Sequence, residues 1–146
     1  MYRRILAAID CEDEHGTALI LKRCASLARM CEARTSLVHV RLRLPEAYSR
    51  HFEWYSEIDL VRELKASLSD LAREHGLEDC LSNVHVPAGS IAREVIRTAE
   101  DERADVIVMA AHAMTIGRVV LGSNAHAIMR EAPCDVLVTK VRQMDR

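Results

Sequence analysis

The sequence predicts an α/β fold: a single doubly wound domain over residues 1–146, with a five-stranded parallel sheet and helices on both faces. Three observations predict it. Short apolar runs alternate with longer segments of helical periodicity, giving β-α-β-α-β-α-β-α-β, the pattern of parallel crossovers. Several of the runs are continuously apolar, as strands covered on both faces are. A chain of 146 residues that is 49% hydrophobic is also long enough to bury one substantial core.

The first strand is read as Arg4 to Ile9 (R-I-L-A-A-I), stopping at Asp10. The loop C-E-D-E-H-G-T precedes a helix from about Glu14 to Ala33, where Leu21, Ala25 and Ala28, flanked by Cys24, Leu27 and Cys31, recur every three or four residues. The second strand is Ser36 to Val40. Residues 42–56 are the least regular stretch, holding Pro45, Tyr48, Phe52, Trp54 and Tyr55. The second helix, Glu57 to His75, carries the stripe Val61, Leu64, Leu68 and Leu71, with Gly76 placed for a C-terminal cap. The third strand is Asn83 to Val86, ended by Pro87 and Gly89. Ser90 is suited to cap a third helix, Ile91 to Glu102, whose Ile91, Val95 and Ala99 share a face. The fourth strand is Asp105 to Ala111, a helix opens at Gly122 and Ser123, and Val136 to Val141 forms the fifth strand.

The bulk numbers exclude several function classes. Twenty basic residues stand against 22 acidic ones, a net charge of −2, so there is no basic stripe for nucleic acid. Five glycines and three prolines argue against disorder or low complexity. Five cysteines, an odd number without a C-x-x-C, read as reduced thiols rather than a disulfide framework or zinc site. No run approaches the length of a membrane span, and the N-terminus lacks a signal-peptide pattern. The expectation is a cytoplasmic protein without nucleic-acid or membrane partners.

The last third of the chain carries the functional signal. An apolar strand leads into a polar loop with His112 and Thr115, and then Gly122 and Ser123 open a helix. Free N–H groups at such a helix start favour an anion, Gly122 admits close approach, and Ser123 can cap the helix or donate its hydroxyl to a phosphate. In doubly wound sheets the ligand sits at the C-terminal edge where strand order reverses. The pattern alone does not prove the strand order; in the expected order, 3-2-1-4-5, strands one and four flank that reversal, which puts the loops after them forward. His112 and His126 have no third ligand at recognisable metal-site spacing.

I-L-A-A-I-D, L-V-H-V, P-A-G-S-I-A-R-E-V-I, A-D-V-I-V-M-A-A-H and, above all, V-L-G-S-N-A-H-A-I-M-R-E-A-P-C-D-V-L-V resemble the universal stress protein family along essentially the whole chain. Members that bind ATP carry G-x-x-G, a loop, then G-S or G-T. This chain keeps Gly122 and Ser123, has Ala110 and Ala113 at the early glycine positions, and has a loop one residue shorter, similar to a branch ending in L-G-S-N-A. At the early positions alanine adds a methyl group and gives up easy access to positive φ. The resemblance implies ATP as ligand, with magnesium where a metal accompanies it. Asp10 would lie near the ribose or a phosphate-bound metal. Ala8 and Ile9 would line the adenine side, and Val40 would hold the adenine edge through its backbone. Gly122, Ser123, Asn124 and Ala125 would offer N–H groups to the phosphates, with Ala110, His112 and Ala113 lining the pocket beside them.

The function implied is a stress-response binding module or switch, in which nucleotide orders the His112–Leu121 loop for an unknown protein partner. No catalytic machinery is legible: there is no P-loop lysine, no G-x-S-x-G and no paired base and nucleophile. The alternative is a member without nucleotide binding that acts through dimerisation and protein contacts. A phosphoacceptor receiver domain is set aside because no aspartate ends the third strand. The family also implies a homodimer, by antiparallel pairing of the edge strand 136–141 across a twofold axis.

Overall fold

Each strand divides its side chains between two cores, and that division organises the molecule. The computed structural model describes residues 1–43, 56–114, 118–119 and 122–141, with side chains for all of these except 112–114, 118 and 119. The strands are β1 (Arg4–Ala8), β2 (Arg34–Val38), β3 (Leu81–His85), β4 (Val106–Met114), β5 (Arg118–Val119) and β6 (Asp135–Val141). The helices among the described residues are α1 (Glu14–Cys31), α2 (Glu57–Glu74), α3 (Ile91–Glu102) and α4 (Ser123–Glu131). The parallel sheet runs β3-β2-β1-β4-β6, so the expected order holds once β6 is counted as the fifth parallel strand. The two-residue β5 pairs antiparallel with the end of β4.

Side chains alternate across a strand, so Ile5, Ala7, Ile9, Leu37, Val106 and Val108 join one core beneath α1 and α2. Their neighbours Leu6, Val38, Ile107 and Met109 pack with Val95, Ala99 and Ile128 of α3 and α4. Both faces are apolar, which is why strands one and four read as unbroken hydrophobic runs. Cys24 is buried in the first core, which pushes its thiol up to about 12, and Cys31 packs at that core's margin. The cysteines are small core hydrophobes there, as expected.

Strand limits differ from the sequence reading because pairing partners set them. β2 starts at Arg34, not Ser36, since Arg34 pairs with Arg4 at the sheet's lower edge. Its ladder with β1 stops at Val38, although extended backbone continues: His39 N–H donates to the His85 carbonyl and Arg41 bridges Ala88. β3 starts at Leu81, two residues before the expected Asn83, because Leu81 pairs with Thr35. β4 runs to Met114 rather than Ala111 because Ala113 and Met114 pair with β5. Helix α1 stops at Cys31, short of Ala33, where Glu32 turns left-handed at φ 55°. The segment with Tyr48, Phe52, Trp54 and Tyr55 lies outside the described residues.

Helix ends follow local chemistry. The Asp13 carboxylate accepts the Gly16 N–H at 3.0 Å and caps α1. A Cβ on Gly16 would lie 2.1 Å from an Asp13 carboxylate oxygen, so a larger residue there would make the capping carboxylate shift. Gly76, with φ +89°, ends α2 in a Schellman turn: its N–H reaches the Arg73 carbonyl, and the buried Leu77 donates to Ala72. Ser90 sits at the N-cap of α3, but its hydroxyl makes no capping bond.

Candidate functional site

The chain winds from β1 out to β3, then crosses back to place β4 on the other side of β1, so β1 and β4 flank the reversal. Above them opens a crevice of about 1770 Å³. Asp10, Gly122, Asn124 and Ala125 all line it, so the space they border is not filled by described side chains. Ala8, Ile9, Val40 and Ala110 also line it, bringing most of the anticipated residues together.

The β1–α1 turn is built tightly. The Asp10 carbonyl accepts the Asp13 N–H at 3.1 Å and the Thr17 hydroxyl at 2.7 Å. One Asp10 carboxylate oxygen accepts the Glu12 N–H at 2.9 Å, and the side chain is exposed. Asp10 is therefore a turn residue and a crevice residue at once, since its carboxylate has further lone pairs to give. The Cys11 thiol also lines the crevice, but burial, and then the Asp10 charge, push its pKa up. It is a protonated thiol at neutral pH, not a nucleophile.

Val40 stands where β1 has ended. On either side of it, His39 N–H bonds to His85 and Arg41 N–H to Pro87, both towards β3. Peptide groups alternate along extended backbone, so those of Val40 face away from β3. Among the described residues neither its N–H nor its C=O has a hydrogen-bond partner. A donor and an acceptor side by side can read a heteroaromatic edge.

Across the crevice, Gly122 is the N-cap of α4, with φ −66° and ψ 168°. That conformation is open to any residue, so the backbone does not demand glycine here. A Cβ built at Gly122 meets nothing within 4 Å, so what glycine preserves is empty space. Ser123, read in the sequence as able to cap the helix, is instead its first residue and exposed, and Gly122 holds the cap position. The N–H groups of Ser123, Asn124 and Ala125 come before the first full helical turn closes, and a glycine cap brings no side chain to satisfy them. Ala110 is paired with Thr139 on extended β4, so its departure from glycine costs no backbone freedom. His112 and Ala113 belong to β4 by their backbone, in register with Val141 and Val119. Their side chains, and most of the loop to Leu121, lie outside the described residues.

Sequence reasoning missed His39 and Arg41. Arg41 lines the crevice with its side chain 15% exposed, held by the Val86 carbonyl and Glu57, each at 3.1 Å. The available signal was position: both flank Val40 at the carboxyl end of a parallel strand. His126 is exposed on α4, and among the described residues no three His, Cys, Asp or Glu side chains could hold a metal.

The universal stress protein family model matches residues 1–140. The chain belongs to that family. The universal stress protein A homolog 1 of Coxiella burnetii is 30% identical, with 97% of this chain and 99% of that one covered. A hypothetical protein solved as a test case of structural genomics is 25% identical, covers 98% of this chain and 99% of its own, and has a TM-score of 0.75. A universal stress protein from Archaeoglobus fulgidus, solved in complex with dAMP, shares the fold at 18% identity, 94% and 97% coverage and a TM-score of 0.64.

Proposed function

We propose that this universal stress protein binds an adenine nucleotide in the crevice between β1 and β4, with ATP as the physiological ligand, and acts as a dimeric binding module in the stress response. The adenine edge meets the Val40 peptide groups, beside Ala8 and Ile9. The phosphates meet the amides of Gly122, Ser123, Asn124 and Ala125, where the helix dipole also favours negative charge. Asp10 sits between them, placed for the ribose or for a magnesium ion carried by the phosphates.

One observation carries the reading: the Val40 peptide groups, without partners among the described residues, the Asp10 turn and the open space at Gly122 line the same crevice. The dAMP complex of the Archaeoglobus relative supports the class of ligand. The alternative, a member without nucleotide binding, rests on Ala110 and Ala113, and the extended backbone at Ala110 weakens it. The cytoplasm is proposed from the odd, unpaired cysteine set. Calorimetric titration with ATP, with and without magnesium, tests the reading. Saturable micromolar binding is expected, and a protein that takes up no ATP at millimolar concentration refutes it.

A further inference from the structure

The β1–α1 turn contains one backbone donor whose partner is neither backbone nor a neighbour in sequence. The Asp13 and Glu12 N–H groups are satisfied within the turn by Asp10. The Cys11 N–H instead points at β2 and meets His39 Nδ1 at 3.4 Å. That contact is its one partner among the described residues. The same nitrogen lies 3.4 Å from the Ile9 carbonyl, the last β1-side acceptor before the turn. These two neighbours make opposite demands on a neutral imidazole. Holding the Cys11 N–H requires a lone pair on Nδ1 and therefore the proton on Nε2, whereas donating to Ile9 requires the proton on Nδ1.

We propose that His39 is a positioning residue of the nucleotide crevice. As the Nε2–H tautomer it holds the Cys11 N–H through Nδ1, and so sets the orientation of the Asp10–Cys11 peptide and the aim of the Asp10 carboxylate. The proposal rests on the nucleotide reading for its functional consequence, but not for the hydrogen bond itself. Accounting favours this tautomer. In the Nδ1–H form the half-buried Cys11 N–H loses its one partner, and in the Nε2–H form the carbonyl of the buried Ile9 goes without one among the described residues; of the two, an orphaned N–H is the rarer in folded proteins. Nε2 has no partner among the described residues and His39 lines the crevice, so the proton on Nε2 displaces no existing bond.

Two substitutions separate the ring's ends. His39→Asn keeps an acceptor near Nδ1, whereas His39→Gln keeps a polar group near Nε2 and leaves the Cys11 N–H without a partner. With both variants folded by thermal melt, ATP affinity with magnesium is expected within about twofold of wild type for Asn and about three- to tenfold weaker for Gln. Long-range proton–nitrogen NMR of ¹⁵N-histidine protein at about pH 8, without nucleotide, is expected to show the Nε2–H tautomer. The Cys11 amide should exchange more slowly in wild type and Asn than in Gln. An Nδ1–H tautomer, equal Cys11 exchange in all three proteins, or a Gln variant that binds as tightly as wild type overturns the proposal. Should no protein bind ATP, the nucleotide reading fails alone, and the tautomer and exchange data still decide the role of His39.

Discussion

At the scale of single residues, two positions show how a sequence feature acquires meaning from its surroundings. Gly122 reads in the sequence as a point of close approach, and its φ of −66°, which suits any residue, and its missing Cβ, which faces open space, agree with that rather than with a backbone requirement. On the nucleotide reading proposed above, the glycine leaves room for the phosphates. Gly122→Val is expected to cost the fold no more than about 1 kcal/mol, as an N-cap change does. The same variant should weaken ATP binding at least about tenfold by taking the phosphate's place, or roughly 1.4 kcal/mol. Paired melting and titration curves check both halves. Asp105 shows the reverse case, a residue that carries the fold rather than the site. It accepts the Arg3 N–H at 2.7 Å and the Arg4 N–H at 2.8 Å, tying the start of β1 to the start of β4. Those bonds, Arg3 first, hold its carboxyl below the usual aspartate range. A depressed folded-state pKa contributes stability above the ordinary aspartate value and loses it as pH falls through the lowered one. Asp105→Ala should therefore cost about 1 kcal/mol at pH 7, modest because the group is exposed. In urea titrations the gap from wild type should narrow as pH falls below the ordinary aspartate value, and a gap that does not narrow on acidification would contradict this account.

Among the elements, three helices end in a left-handed turn, but only α2 uses glycine for it. Gly76 adopts φ +89° without strain, whereas α1 ends on Glu32 at φ 55° and α3 on Arg103 at φ 51°. A side chain in that region costs about 1 kcal/mol, and Glu32 also sets a negative charge at the negative end of the helix dipole. Glu32→Gly is expected to stabilise the protein by about 0.5–1 kcal/mol, read as a higher denaturation midpoint with the slope unchanged. A lower midpoint would mean that Glu32 makes a compensating contact. Gly76 marked its helix end in the sequence. Glu32 and Arg103 could not, because nothing in their side chains announces positive φ. The strands show the same limit: their apolar centres were legible, but Arg34 and Leu81 became strand starts only through Arg4 and Thr35.

For the whole molecule, the sheet leaves β6 at an edge, paired with β4 on one side among the described residues. Val136, Leu137 and Val138 are only half-buried there, the apolar edge that invites a second chain. The proposed homodimer is tested by proline, which cannot donate to a ladder. Leu137 and Val138 are neighbours, so one N–H faces β4 and the other the open edge. Whichever of Leu137→Pro and Val138→Pro blocks the outward N–H should give a folded monomer in light scattering. If both variants stay dimeric, the interface lies elsewhere. At this scale the sequence determined the class of fold, the alternation of elements and the closing Gly122–Ser123 helix, because hydrophobic period and turn chemistry are local properties. It also brought forward Asp10, through its place at the end of the first strand and the family resemblance, and Val40 through the resemblance alone. Only the tertiary structure decided that these residues line one crevice, that Val40 presents peptide groups left without a ladder partner, and that Cys11 leans on His39. Each depends on which strand lies beside which, and strand neighbours come from packing across the sheet, with long separations along the chain, rather than from any short stretch of residues.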